Sequence, residues 1–187
     1  MPMNTLPDLA DLSLADIARL AAEKKLPPVA DWNPAHCGDS DMRIAPDGSW
    51  FHQGAVITRP AMVRLFSTIL RREKDGGYVL VTPVEKLDII VDDAPFVAVE
   101  MKVGGEGIAS RLAFRLNTDE LVLADAEHPI RFEPRDDGPH PYLRVRDGLD
   151  ALIVRSVYYD LAERVTEQAG VPGIWSCGAF FPVGNVA

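Results

Sequence analysis

The sequence predicts an α+β fold in which an N-terminal helix precedes two related small α+β subdomains built mainly on antiparallel sheet. Three observations carry that expectation. The stretch 75–91 (DGGYVLVTPVEKLDIIV) reads as turn, strand, tight Thr82-Pro83 break and second strand, alternating with period two on both sides of the break. A weaker echo, 142–154 (YLRVRDGLDALIV), also opens on tyrosine, places valine three residues on, breaks at a charged turn and closes on apolar residues ending in valine. The two tyrosines stand 64 positions apart, about the length of one small α+β unit. Between the N-terminus and the first of these hairpins lie two helix signals, the third observation.

The first helix opens at Ser13, with Asp16 in the reciprocal position of a capping box. Leu14, Ile17, Ala18 and Ala21 mark one face, Lys24 and Lys25 complement the dipole at its end, and Pro27-Pro28 stops it. Residues 31–43 (DWNPAHCGDSDMR) are polar and read as a structured turn before a strand that begins near Met42. Met42-Arg43-Ile44, the Pro46-Asp47-Gly48 turn and Trp50-Phe51-His52 then form a hairpin, followed by a short strand at Ala55-Val56-Ile57. Pro60 suits the first turn of the second helix, in which Met62, Leu65, Phe66, Ile69 and Leu70 follow helical spacing opposite Arg64, Ser67, Thr68 and Arg71.

After the first tyrosine-led hairpin, 95–103 (PFVAVEMKV) forms a strand and 104–107 (GGEG) a flexible connection taken as the subdomain boundary. The expected division is therefore 1–29 for the helix and its linker, 30–103 for the first subdomain and 104–187 for the second. Residues 111–116 and 120–123 make a hairpin, 130–132 a strand and 135–141 a loop. A third helix is expected from Ser156 to about Gln168, with Gly170 and Pro172 ending it. The tail 173–184 (GIWSCGAFFPVG) is too apolar to hang in solvent and should close the second half or lie across the junction.

Composition narrows the functional classes. At 47% hydrophobic residues the 187-residue chain can fill a core, and its 15 prolines and 14 glycines imply short elements joined by turns. A net charge of −9 argues against binding nucleic-acid polymers or anionic membranes, both of which require a basic surface. The acidic N-terminus lacks the basic start and apolar core of a signal peptide, and no apolar run approaches a membrane span. Two cysteines, Cys37 and Cys177, are too few for a disulfide framework, so the expectation is a cytoplasmic protein with reduced thiols.

No motif names a reaction. His36, Cys37, Asp39 and Asp41 carry metal-ligating atoms, but their spacing lacks a Cys-x-x-Cys or His-x-x-x-His pair, and the glycine and glutamate of a calcium loop are missing. No metal or other cofactor is expected. There is no Gly-x-Ser-x-Gly elbow, and the 104–107 glycines lack the lysine and helix of a phosphate loop. The arginines are more informative. Arg71 and Arg72 end one helix, Arg144 and Arg146 alternate on the second hairpin, and Arg155 opens the next helix. Gathered in an acidic chain they would bind phosphate or carboxylate through their planar forks. The competing reading pairs them with Asp88, Asp92, Asp93 and Asp147 as ordinary surface salt bridges. Trp175 and Tyr158 offer either stacking faces or plain packing.

Trp32-Asn33-Pro34, Asp41-Met42-Arg43-Ile44, Asp47-Gly48-Ser49-Trp50, Leu70-Arg71-Arg72, Leu80 to Lys86 (LVTPVEK), Pro141-Tyr142 with Val145-Arg146, Leu152-Ile153 with Arg155-Ser156, and Trp175-Ser176 follow one another in order. Together they resemble the bacterial family called domain of unknown function 1285, over nearly the whole chain from 28 to 184. The resemblance implies two related α+β subdomains after an N-terminal helix, the second superficially like a pleckstrin-homology domain. It also implies a cleft between them as the suspected site for a nucleotide-like ligand, with a signalling role. Carried onto the matching motifs, it names Arg43, Arg71, Arg72, Thr82, Glu85, Lys86, Arg146, Arg155 and Trp175 as ligand-binding candidates. The leading expectation is a non-enzymatic sensor that holds a small anionic ligand between its halves. The alternatives are an enzyme acting on a phosphorylated small molecule, with Glu85 or Asp41 as base, and a protein-interaction adaptor with an exposed apolar patch.

Overall fold

The computed structural model describes residues 9–184. The N-terminal reading against a signal peptide falls partly on residues 1–8, outside the described residues. Ser13 caps α1 (Leu14–Glu23) as expected: its Oγ accepts from the Asp16 amide at 3.1 Å, and the Asp16 carboxylate accepts from the Ser13 amide at 3.3 Å. The helix packs mainly on β8 and β9 of the second half rather than on the first subdomain that follows it. Ile17 and Leu9 bury against Ala113, flanked by Leu121 and Leu123, so α1 covers the outer face of the second sheet.

Six strands form the first half: β1 (His36–Ile44), β2 (Trp50–His52), β3 (Ala55–Val56), then α2 (Pro60–Thr68), β4 (Leu70–Arg72), β5 (Tyr78–Val81) and β6 (Glu85–Val91). Their order is β3-β2-β1-β6-β5-β4, two antiparallel meanders joined through the parallel pair β1 and β6. The second half repeats this with β7 (Phe96–Gly104), β8 (Arg111–Leu116), β9 (Leu121–Leu123), β10 (Ile130–Glu133), β11 (His140–Arg146) and β12 (Leu149–Ile153). Its order is β10-β11-β12-β7-β8-β9, with β12 and β7 parallel at the centre. Read from the opposite edge it is the same topology. The two tyrosine-led hairpins, β5–β6 and β11–β12, occupy equivalent places in it. They are the fifth and sixth strands of each half. The chain ends with α3 (Arg155–Ala162) and a three-stranded sheet of β13 (Thr166–Gln168), β14 (Val171–Ser176) and β15 (Ala179–Pro182).

One apolar core runs through both halves, with Ile44, Trp50, Leu70 and Ile89 from the first and Phe96, Phe114, Leu143 and Leu149 from the second. Fully burying each such side chain contributes about 1.5–3 kcal/mol. The tail closes the second half through Ser176, which is fully buried. Its Oγ accepts from the Leu112 amide at 2.9 Å and donates to the Ala124 carbonyl at 2.6 Å, tying β14 to both ends of the β8–β9 hairpin.

Four expectations change. The division between halves falls between β6 and β7, not at Gly104, because β7 pairs with β8 and β12 in the second sheet. The third helix stops at Ala162: the chain turns, and Thr166–Gln168 pairs with β14. The polar segment before Met42 is not a turn, since β1 begins at His36 and runs parallel to β6. Parallel pairing uses backbone groups, so a strand can form from polar residues whose side chains stay in water. A bulge between Asp39 and Met42 is fastened by Ser40 Oγ donating to the Asp88 carbonyl at 2.6 Å and Asp39 accepting from the Asp41 amide at 2.8 Å. Finally, α2 ends at Thr68, so that Leu70–Arg72 form β4 rather than its last turn, and it is rotated from its expected orientation. Val63, Phe66, Ile69 and buried Ser67 face the core, while Met62 and Leu65 are exposed, Leu65 to 63%.

Candidate functional site

A cleft of about 470 Å³ opens where the halves meet, between β4 of the first and the β11–β12 turn of the second. Val29, Leu70 and Leu149 supply apolar wall. Arg71, Arg72, Lys74 and Arg146 face it against Glu73 and Asp147. The cleft thus carries an excess of positive charge in a chain whose total is −9.

These cations differ in how far they are committed. Arg71 is used up by the fold: Nη1 donates to the Val29 and Trp32 carbonyls, each at 2.7 Å, and Nε to Glu73 at 2.7 Å. It straps the segment leading from α1 onto β4 and so builds one wall. Arg146 is also engaged. Its Nη1 donates to both Glu120 oxygens at 2.8 and 2.9 Å, its Nη2 donates to the Ser67 carbonyl at 2.7 Å, and its guanidinium lies 5.1 Å from the centre of the Phe96 ring. Among the described residues Arg72 has only one long bond, Nη1 to the Gly148 carbonyl at 3.4 Å, and Lys74 is exposed.

Comparison of the halves shows why Arg72 is underused. In the antiparallel register Arg72 sits opposite Tyr78, and Arg131 sits opposite Tyr142. Each guanidinium lies over its tyrosine ring, at 5.2 and 4.7 Å from the centroid. The next strand differs. Tyr142 pairs with Leu152, two residues beyond Asp150, whereas Tyr78 pairs with Ile89, two residues beyond Leu87. Asp150 is buried and takes Arg131 Nη2 at 2.7 Å and Arg144 Nε at 2.6 Å. Where the second half has the Arg144–Asp150 pair, the first has Leu80–Leu87. The same arginine–tyrosine unit is neutralised in one half and open to the cleft in the other. Burial holds the Tyr78 hydroxyl above its ordinary range, with the charge on Arg72 working in the other direction.

The remaining candidates lie elsewhere. Arg43 is an exposed partner of Asp92, with Nε at 2.9 and 3.0 Å from its oxygens. That is the surface pairing the sequence offered as an alternative, and it holds the Asp92 carboxyl below its usual range. Thr82 serves its own turn, its Oγ1 accepting from the Val84 and Glu85 amides at 3.3 and 3.2 Å. Glu85 begins β6 beside His36 on β1. Lys86 reaches the cleft only through Glu73, at 3.7 Å. Arg155 lines a separate cavity at the start of α3. Trp175 packs on Phe180 in the last sheet, ring centres 5.1 Å apart, and does not line the cleft. Asp41, the other carboxylate considered as a base, is in the β1 bulge.

Sequence reasoning missed Lys74, Asn33 and Asp147 as lining residues, and Glu120 behind Arg146. Lys74 lies two residues beyond the Leu70-Arg71-Arg72 motif, and that proximity is its local signal. Glu120 had no local signal, because its partners Lys24 and Arg146 are brought to it only by the tertiary fold.

Two halves of one topology, closed on each other around a cleft and preceded by a docked helix, define a duplicated α+β protein. Residues 27–94 match the family model described as the N-terminal domain of DUF1285, a domain of unknown function, and residues 95–183 match its C-terminal domain. The chain belongs to the DUF1285 family, and the join between the two matches coincides with the passage from β6 to β7. It is similar to the crystal structure of a DUF1285 family protein from Silicibacter pomeroyi DSS-3, with 48% identity, a TM-score of 0.81, and coverage of 93% of this chain and 96% of that one. A DUF1285 family protein from Shewanella baltica OS155 is more distant, at 26% identity and a TM-score of 0.52 over 65% of this chain and 90% of that one. No curated protein matched the chain. Among the described residues no helix is long and apolar enough to cross a membrane.

Proposed function

We propose that this protein is a non-catalytic sensor that binds a small anionic, nucleotide-like ligand in the cleft between its halves. The observation that carries the reading is the open state of Arg72. Its counterpart Arg131 is neutralised by a buried aspartate, while Arg72 faces the cleft with a single long hydrogen bond. Lys74 adds a second available cation, and Arg71 and Arg146 supply fixed positive potential. The volume suits one mononucleotide-sized molecule. With Trp175 elsewhere, a base would lie against Val29 and Ala30, the accessible apolar residues of the lining. Glu73 is committed to Arg71 and Lys86, which favours binding over proton transfer by that carboxylate.

Ligand held by Arg72 and Lys74 on one half and the 146–149 turn on the other would bias how the halves meet, a means of signalling. A cytoplasmic setting belongs to the same reading, supported by two exposed free thiols, Cys37 and Cys177. The test is a thermal-shift screen of the full chain with nucleotides, cyclic dinucleotides and phosphorylated metabolites. A ligand at a hundred times its dissociation constant stabilises by about 2.7 kcal/mol. The shift should vanish in Arg72→Gln. No shift across the panel, or a shift that Arg72→Gln leaves intact, defeats the proposal. The first of these outcomes favours the adaptor reading, supported by exposed Met62 and Leu65.

A further inference from the structure

A second cavity, of about 360 Å³, lies within the second half between the 137–139 turn with the start of β11 and the start of α3. Arg155, Tyr158 and Tyr159 line it. Their i, i+3, i+4 spacing places them on one face of α3, opposite Val157 and Leu161, which are buried in the core. Tyr158 belongs to an aromatic row. Its ring centre is 6.5 Å from that of Phe132 and 6.3 Å from that of Tyr159, and Tyr159 at the outer end is 59% exposed. Exposed Pro139 gives the loop side an apolar surface.

Arg155 is exposed and makes no hydrogen bond or ion pair among the described residues. Its charge is felt by Asp137, another lining residue. That carboxyl is held below its ordinary range mainly by the hydrogen bond from His140, whose Nε2 lies 3.0 Å away. The cavity therefore presents one open guanidinium, one aspartate already occupied by histidine, and a row of aromatic faces that ends in solvent.

We infer that this cavity binds a flat aromatic monocarboxylate, with the ring extending the Tyr158–Tyr159 row and the carboxylate paired with Arg155. Offset or tilted ring contacts reward a planar ligand over a saturated one of the same size. Arg155 matches a carboxylate bidentately. The nearby Asp137 charge balances part of that guanidinium, so a single negative charge is favoured over a phosphate dianion. This separates the site from the cleft, where cations outnumber carboxylates.

The experiment is a calorimetric titration of the full chain with naphthalene-2-carboxylate and with its saturated decahydro analogue. The aromatic acid should bind saturably and the saturated one about threefold to tenfold more weakly. Arg155→Gln should weaken binding at least about tenfold, and Tyr159→Ala about threefold to tenfold. Both side chains are exposed, so these variants should keep the wild-type urea midpoint. Arg72→Gln should leave binding unchanged, which separates this site from the interdomain cleft. The inference is overturned by absence of saturable binding, by equal affinity for the two acids, by an Arg155→Gln variant that binds like wild type, or by loss of binding in Arg72→Gln.

Discussion

Removing the Glu120 carboxylate should destabilise this protein far more than its position in a short β-turn suggests. The Glu120 side chain is only 8% exposed and receives two cations, Lys24 Nζ at 2.8 Å and Arg146 Nη1 at 2.8 and 2.9 Å. Lys24 ends α1, and Arg146 continues through Ser67 into the first half, so one carboxylate links the N-terminal helix and both halves. Breaking a buried ion pair by deleting one partner costs about 3–5 kcal/mol, because the other charge remains without compensation. Lys24 is a third exposed and can turn to water or give up its proton, since burial already lowers its affinity for it. Arg146, 17% exposed, can do neither, but keeps the Ser67 carbonyl and the Phe96 ring. The expected loss for Glu120→Ala is therefore at the lower end, about 3 kcal/mol. With a urea slope of about 2 kcal/mol per molar, that moves the midpoint by about 1.5 M. Glu120→Ala with Arg146→Met should recover part of this, because the orphaned charge is gone. A loss below about 1 kcal/mol for the single variant, or strict additivity in the pair, would refute the reasoning.

Gly48→Ala should cost about 2–4 kcal/mol, measured by urea unfolding: the residue has φ of +86°, and a Cβ would stand 2.6 Å from Asn117 Nδ2 and 2.9 Å from Val97 Cγ2 of the second half. Gly54→Ala, with φ of +79° and nothing within 4 Å, is the control for strain alone and should cost about 1–2 kcal/mol. Ser176→Ala should lose about 1–3 kcal/mol in the same assay, leaving the Leu112 amide and Ala124 carbonyl without their partner in a buried place. Burial, with its hydrogen bond to Asp93, pushes the Tyr142 hydroxyl up to about 12. The unfolded chain would ionise near 10 and the folded one later, so this stabilisation is complete below pH 10 and is lost as pH rises from 10 towards 12. Phenolate absorbance should show a late-titrating tyrosine in the folded protein that Tyr142→Phe removes.

Much of the fold is legible because its signals are local. The Ser13–Asp16 box, the Pro46-Asp47-Gly48 hairpin, Pro60 at a helix start and the paired alternation around Thr82-Pro83 each declare themselves within a few residues. The parts that the sequence leaves undeclared depend on distant partners. His36 to Asp41 form a strand only because β6 lies beside them, and their composition gives no hint of it. Met62 and Leu65 obey helical spacing, but Val63, Phe66 and Ser67 do so equally, and the core selects between the faces. The candidate site shows the same limit. Arginine-rich motifs brought Arg71, Arg72 and Arg146 into view, and they meet in one cleft. Spacing could not reveal that two of them are consumed by backbone carbonyls and Glu120, nor that Arg43 and Arg155 point to other surroundings.

Duplication makes the difference between Arg72 and Arg131 testable. Each crosses a tyrosine from the equivalent strand, so the two share an origin in geometry and differ in what lies beyond: a buried carboxylate at Asp150, an aliphatic side chain at Leu87. Arg131→Met removes one of two cations from a buried aspartate and should cost about 1–3 kcal/mol of stability. Arg72→Met forfeits an exposed ring contact and one long hydrogen bond, about 0.5–1 kcal/mol. Ligand response should sort the opposite way, with stabilisation by the anion retained in Arg131→Met and abolished in Arg72→Met. Urea midpoints with and without the anion identified by thermal shift read both quantities from the same proteins. If Arg72→Met destabilises as much as Arg131→Met while still responding to the anion, both arginines are structural. The open half of the repeat would then have no ligand to explain it.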